Sequence, residues 1–231
     1  MINKVFPSVA DALSDLQDGA TIMIGGFGGA GTPHNLVQGM IDRRVGGLTL
    51  ICNGFNNILL VKDWRTIKKV VMSFPHAPGN RSLANPMAEG IELGAIEVET
   101  VPQGTLAERI RCGGAGIPAF YTPTGVGTRL SQGKERRAFY GRDCLLETAL
   151  VADFAFIQAF KGDEMGNVIY RKTARNFNPL MATAAKIVIA EVQEIVPVGE
   201  IDGDQVHTPG IFVDRLVKVK PVVRAFRVNS R

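Results

Sequence analysis

No apolar run in the 231-residue chain approaches the roughly 18–20 residues that cross a bilayer. The opening stretch, MINKVFPSVADALSD, has acidic residues where a signal peptide carries its apolar segment, so secretion is not expected. Cysteine is scarce. Cys52, Cys112 and Cys144 are odd in number and far apart, which argues against a disulfide framework and suits a reducing, cytoplasmic setting. Histidine is equally scarce, and His34, His76 and His207 have no ligand spacing with each other or with the thiols. No metal site is expected.

The net charge of +4 hints at nucleic acid until it is located. Residues 215–231, RLVKVKPVVRAFRVNSR, hold six basic residues and no acidic one, which leaves 20 basic against 22 acidic residues elsewhere. The body of the chain therefore has no basic face, and neither nucleic acid nor membrane is an expected partner. The excess belongs to a basic C-terminal tail at about 216–231, read as solvated or in contact with another subunit. Apolar residues make up 45% and charged residues 21%, as in ordinary globular proteins.

Short apolar runs alternate with helical stretches. Strands are expected at Thr21–Ile24, Leu48–Cys52, Lys69–Ser73, Ile96–Val101, Ala152–Gln158 and Lys186–Glu191. Their unbroken apolar character suits strands covered on both faces, as in parallel sheets. SVADALSDL and HNLVQGMIDRR read as helices, with Leu36, Val37, Met40 and Ile41 of the second on one face. KGDEMGN (161–167) reads as a hairpin turn before a short strand, VIYR, and residues 111–128 as a long glycine-rich loop. Phe120 and Tyr121 in that loop are expected to be core. The expected architecture is α/β, an open, mainly parallel, Rossmann-like sheet with flanking helices, in one domain spanning 1–231.

TIMIGGFGGAGTPHNL (21–36) runs from strand to helix through five glycines in seven positions. Glycine permits positive φ and close approach of another group to the backbone. Pro33 fits a first helical turn, where its missing N–H costs nothing. Such a loop can present backbone N–H groups to phosphates or to developing negative charge. Gly26, Gly28 and Gly31 also satisfy G-x-G-x-x-G, yet the second strand ends ICNGFNN. Asn53 stands where a dinucleotide site places a ribose-holding carboxylate. The dehydrogenase reading is therefore disfavoured.

The wider segment, DGATIMIGGFGGAGTP (18–33), resembles the signature of the family I coenzyme A transferases. Asp18, Gly19, Ile22, Met23, Ile24, Gly25, Gly26, Phe27, Gly31 and Pro33 fill every fixed place of that signature. The resemblance continues through 102–128, 163–179 and 208–215, and is strongest to the A subunits of 3-oxoacid and 3-oxoadipate CoA-transferases.

The resemblance implies a sheet shared with sugar-phosphate isomerases and a ping-pong transfer of CoA from succinyl-CoA to a 3-oxo acid, with 3-oxoadipate favoured. It implies a nucleophilic glutamate within a Ser-Glu-Asn-Gly motif on a B subunit. That motif is absent here, so no catalytic residue is assigned to this chain. Glu89, Glu108, Glu147 and Glu191 read as surface carboxylates. A hetero-oligomer, A2B2, is expected, with coenzyme A entering as an acyl-CoA substrate and no permanently bound cofactor. Gly25, Gly26, Phe27, Gly28, Gly29, Ala30 and Gly31 resemble the CoA-holding segment, while Gln103 and Asn53 resemble positions that line the active site. An acetate/butyrate–acetoacetate CoA-transferase A subunit, or a non-catalytic ligand-binding relative of the same fold, stays open as an alternative.

Overall fold

The apolar runs become strands because helices cover both of their faces. In the computed structural model, which describes residues 3–75, 87–220 and 222, the early strands are β1 (Val5–Phe6), β2 (Thr21–Ile24), β3 (Leu48–Gly54), β4 (Ile67–Phe74) and β5 (Glu97–Thr100). A middle group comprises β6 (Ala119–Thr122), β7 (Arg136–Phe139) and β8 (Arg142–Thr148). The last are β9 (Ala152–Asp163), β10 (Val168–Ile169), β11 (Ala185–Val196) and β12 (Arg215–Lys218). The helices are α1 (Val9–Ala12), α2 (His34–Asp42), α3 (Ala88–Glu92), α4 (Gln103–Gly114) and α5 (Asn178–Ala182).

One sheet runs in the order β1-β12-β11-β9-β2-β3-β4-β5, with every neighbouring pair parallel. β10 folds back antiparallel on β9, so the turn at 161–167 is a hairpin. The open, mainly parallel sheet expected from the sequence is the one observed. Alternation along the strands splits the core in two. Ile22, Ile24, Leu50 and Val70 face one cluster with Leu36, Val37 and Met40 of α2. Met23, Ile51 and Val71 face the other, with Leu106 and Ile110 of α4 and Met181 of α5. Among the described residues, no helix is long and apolar enough to cross a membrane.

Four details depart from the sequence reading. The first helix stops at Ala12. Leu13 and Leu16 are drawn into the core, and Asp15 is turned aside to make a bidentate pair with Arg215. The basic tail does not begin at 216, because Leu216 and Val217 are buried in β12 between β11 and β1. Residues 221 and 223–231 of that tail lie outside the described residues, as does His76.

Residues 111–128 are not one loop. They close α4 and supply β6 of a separate antiparallel sheet, β6-β8-β7. Phe120 and Tyr121 are only partly buried there, since three strands cannot enclose both faces. The Tyr121 ring rests on Phe139, and its hydroxyl donates to Glu135.

Candidate functional site

After β2 the chain winds outward through β3, β4 and β5, then returns to place β9 on the other side of β2. Strand order reverses between β2 and β9, and in open α/β sheets the crevice at the carboxyl ends beside such a reversal is where ligands bind. The glycine loop leaves β2 at that point. Gly25 N–H donates to the Phe156 carbonyl of β9 at 3.0 Å, pinning the loop across the reversal.

The loop turns back on itself. Phe27 and Ala30 exchange backbone hydrogen bonds of 3.0 and 2.9 Å, with Gly28 (φ 56°) and Gly29 (φ 93°) between them. Two consecutive positive φ values suit glycine best. Behind the turn, asparagine amides hold the loop's carbonyls. Asn57 Nδ2 donates to Gly25 O at 2.8 Å, Asn176 Nδ2 to Ala30 O at 3.0 Å, and Asn178 Nδ2 to Gly31 O at 3.0 Å. Asn57 and Asn178 are buried.

This packing explains the glycine content. A Cβ on Gly25 would sit 1.9 Å from Asn178 Oδ1, one on Gly26 would sit 2.5 Å from Thr32 Oγ1, and one on Gly31 would sit 2.5 Å from Ala174 O. A Cβ on Gly28 meets nothing within 4 Å. The rear glycines accommodate the asparagine clamp and the tip glycines make the turn.

The sequence reading expected the whole loop to offer N–H groups outward. The N–H groups of Gly25, Phe27 and Ala30 are instead used within the protein, because the tight turn and β9 require them. Among the described residues, Gly28 and Gly29 N–H are bonded to nothing in the chain, and they stand at the open tip.

Half-exposed Phe27 and the tip separate two hollows. One, of about 170 Å³, is lined by Phe27, Gly28, Asn53, Phe55, Asn57 and Phe74 among others. The other, about 580 Å³ and more open, lies between the tip and Thr173 and Asn176. Asn53 is the next-to-last residue of β3 and Gln103 begins α4, and the fold brings them together, with Gln103 Nε2 donating to Asn53 Oδ1 at 2.6 Å. The placement of α4 is fixed by buried Arg109. That side chain donates to Glu99 at 2.6 Å and to the Thr148 carbonyl at 2.7 Å. Burial pushes the Glu99 carboxyl up, but Arg109 and Lys69 together outweigh it and hold it below the usual range.

Among the described residues, neither hollow is lined by a carboxylate, a cation or a thiol. Cys52 precedes Asn53, yet burial pushes its thiol up to about 12, so it stays protonated. Two of the glutamates expected at the surface are buried. Glu147 is 4% exposed and takes Lys134, because β8 passes under the end of α4. Glu191 is 3% exposed and lies beneath the N-terminus of α2, accepting from Leu36 N–H at 2.9 Å and Asn35 Nδ2 at 3.2 Å. Among the described residues, no group of three or more His, Cys, Asp or Glu is placed to hold a metal.

The asparagine clamp was not singled out from the sequence. ARNFNP contains Asn176 and Asn178, but nothing local says that their amides reach a loop near residue 30.

A family model described as "Coenzyme A transferase" matches residues 6–219. The A subunit of the succinyl-CoA:3-ketoacid coenzyme A transferase of Helicobacter pylori is 47% identical, over 94% of this chain and 93% of its own length. The A subunit of the 3-oxoadipate CoA-transferase of Pseudomonas putida is 49% identical, over 95% of each chain. Among solved structures, glutaconate coenzyme A-transferase from Acidaminococcus fermentans superposes with a TM-score of 0.82 at 20% identity, over 93% of this chain and 75% of that one. An acyl-CoA transferase from E. coli, a thioester complex with CoA, superposes with a TM-score of 0.79 at 21% identity. This chain covers 47% of the E. coli chain, about half its length. Both likenesses concern the fold.

Proposed function

The chain belongs to the coenzyme A transferase family, and from that premise we propose that it is the A subunit of an enzyme moving CoA from succinyl-CoA to a 3-oxo acid. Relatives named for 3-ketoacid and for 3-oxoadipate transfer support that substrate class, and 3-oxoadipate is the favoured acceptor. A B subunit on a separate polypeptide completes the enzyme, as an A2B2 assembly in the cytoplasm. Those relatives are themselves named as one subunit of a larger enzyme, which supports the division.

The chemistry is covalent and ping-pong. The B subunit's glutamate carboxylate attacks the thioester carbonyl of succinyl-CoA and expels CoA thiolate, leaving a mixed anhydride. The thiolate then attacks the glutamyl carbonyl, releases succinate, and leaves a glutamyl thioester. The acceptor acid takes CoA by the reverse steps. Each addition puts negative charge on a carbonyl oxygen, which preorganised N–H donors stabilise. This chain's part is to supply such donors and to cradle CoA, with Asn53 and Gln103 hydrogen-bonding the substrate without adding charge near the nucleophile.

The observation that carries the reading is the glycine turn at the strand-order reversal, with its carbonyls tied back and the Gly28 and Gly29 N–H groups open. The test is exchange between succinyl-CoA and 3-oxoadipate, measured for the chain alone and after addition of its B subunit. The chain alone is expected to be inactive and the mixture active. Robust turnover by the isolated chain would overturn the reading.

A further inference from the structure

Among the described residues, the carboxyl ends of β3 and β4 carry a buried polar atom that no other group uses. Cys52 pairs with Met72 and Gly54 with Phe74, so Asn53 and Ser73 stand side by side on adjacent parallel strands. Alternation fixes the direction they face. Ile51 and Val71 pack into the core beside Leu106 and Ile110 of α4, whereas Leu50, Cys52, Val70 and Met72 pack on the opposite side. Two positions further on, Asn53 and Ser73 therefore face the side of α4, whose first residue is Gln103. Gln103 Nε2 donates to Asn53 Oδ1 at 2.6 Å, which uses one donor of the first amide and one acceptor site of the second. The Ser73 hydroxyl is buried and, among the described residues, makes no hydrogen bond.

A hydroxyl can rotate to donate or to accept, so an orphaned one is rare in a folded protein and calls for a reason. Here the orphan adjoins an amide pair, one member of which also lines the hollow beneath the glycine turn. We propose that Ser73 is a substrate-binding residue, donating a hydrogen bond to an oxygen of the acid that takes CoA. Ser73, Asn53 and Gln103 then form one uncharged hydrogen-bonding row at the strand ends. The proposal rests on the CoA-transferase reading above. An uncharged row holds an oxygen of the acid without neutralising the carboxylate that must attack.

The test compares Ser73→Ala and Ser73→Thr, each assembled with the B subunit, using succinyl-CoA and 3-oxoadipate. Loss of one hydrogen bond to an anionic oxygen lowers kcat/KM for 3-oxoadipate about tenfold or more. The threonine variant keeps the hydroxyl and retains most of the rate. The alanine variant melts at or above the parent's temperature, because it removes a buried polar atom without a partner. A purely structural serine predicts the opposite pair of results, a lower melting temperature with unchanged kinetics.

A second reading does not depend on turnover. Saturating 3-oxoadipate raises the melting temperature of the assembled parent, and the rise shrinks in Ser73→Ala. If the alanine variant keeps both its kcat/KM and its thermal shift, the proposal is wrong. Absence of turnover in the parent would instead count against the CoA-transferase reading, and the thermal shift would still decide the role of Ser73.

Discussion

Gly26 and Gly28 stand two positions apart, and a side chain meets opposite surroundings at each. At Gly26 (φ +105°) a Cβ would lie 2.5 Å from Thr32 Oγ1 and 2.7 Å from Asn57 Nδ2. Gly26→Ala therefore forces the clamp apart and is expected to lower the melting temperature by several degrees. At Gly28 (φ +56°) the space is open, so Gly28→Val costs only backbone strain of about 1–3 kcal/mol. On the proposed reading its branched side chain stands where the substrate approaches. The backbone N–H remains in valine, but a side chain that keeps the reacting oxygen away from it has the effect of losing one oxyanion donor, roughly 10²–10³ in turnover. The expected result is a folded variant that still assembles with its B partner but transfers CoA at least about a hundredfold more slowly. Melting curves, gel filtration and exchange of labelled succinate separate the two variants. A Gly28→Val protein with near-parental rate would reduce the turn to a structural device.

The front of this loop was legible in the sequence because glycine and proline restrict the backbone where they stand. Its rear was not. Asn57, Asn176 and Asn178 meet the carbonyls from 32, 146 and 147 positions away, and only the return of β9 beside β2 brings the last two there. Ser73 was hidden for a similar reason, since its orphaned hydroxyl is a property of its surroundings.

At the scale of elements, α2 is held at its N-terminus from beneath by a strand. Glu191 of β11 accepts from Leu36 N–H, and the helix dipole adds to the attraction. Burial nevertheless dominates and pushes its carboxyl up to about 7, from an ordinary 4.5. Below pH 4.5 the carboxyl is protonated whether the chain is folded or not. As pH rises from 4.5 through 7 the unfolded chain gives up the proton first, so stability falls across that window. The loss reaches about 3 kcal/mol at most. Glu191→Gln removes the titration, and thermal melts between pH 5 and 8 should show the parent losing stability relative to the variant. Parallel curves for the two proteins would contradict this assignment.

Strands and the second helix were legible because periodicity records which faces are covered. The contrast between Glu191 and half-exposed Glu108 was not, since both sit in ordinary local patterns. The end of α1 and the fate of 215–218 were equally hidden. They depend on the Asp15–Arg215 pair, whose partners are 200 positions apart.

For the whole molecule, the sheet reverses its strand order beside the glycine loop, and helices cover both faces. Among the described residues, what lines the two hollows is amide, aromatic ring, open N–H and the Thr173 hydroxyl, with no carboxylate or thiol. On the proposed reading such a site holds and polarises a substrate, and a second chain supplies the group that attacks it. The sharpest test of that division is intact-mass analysis of both chains after the assembled enzyme is incubated with succinyl-CoA and quenched. The expected result is a covalent CoA adduct on the B subunit, with the mass of this chain unmodified. A CoA adduct on this chain would place the nucleophile here and contradict the division.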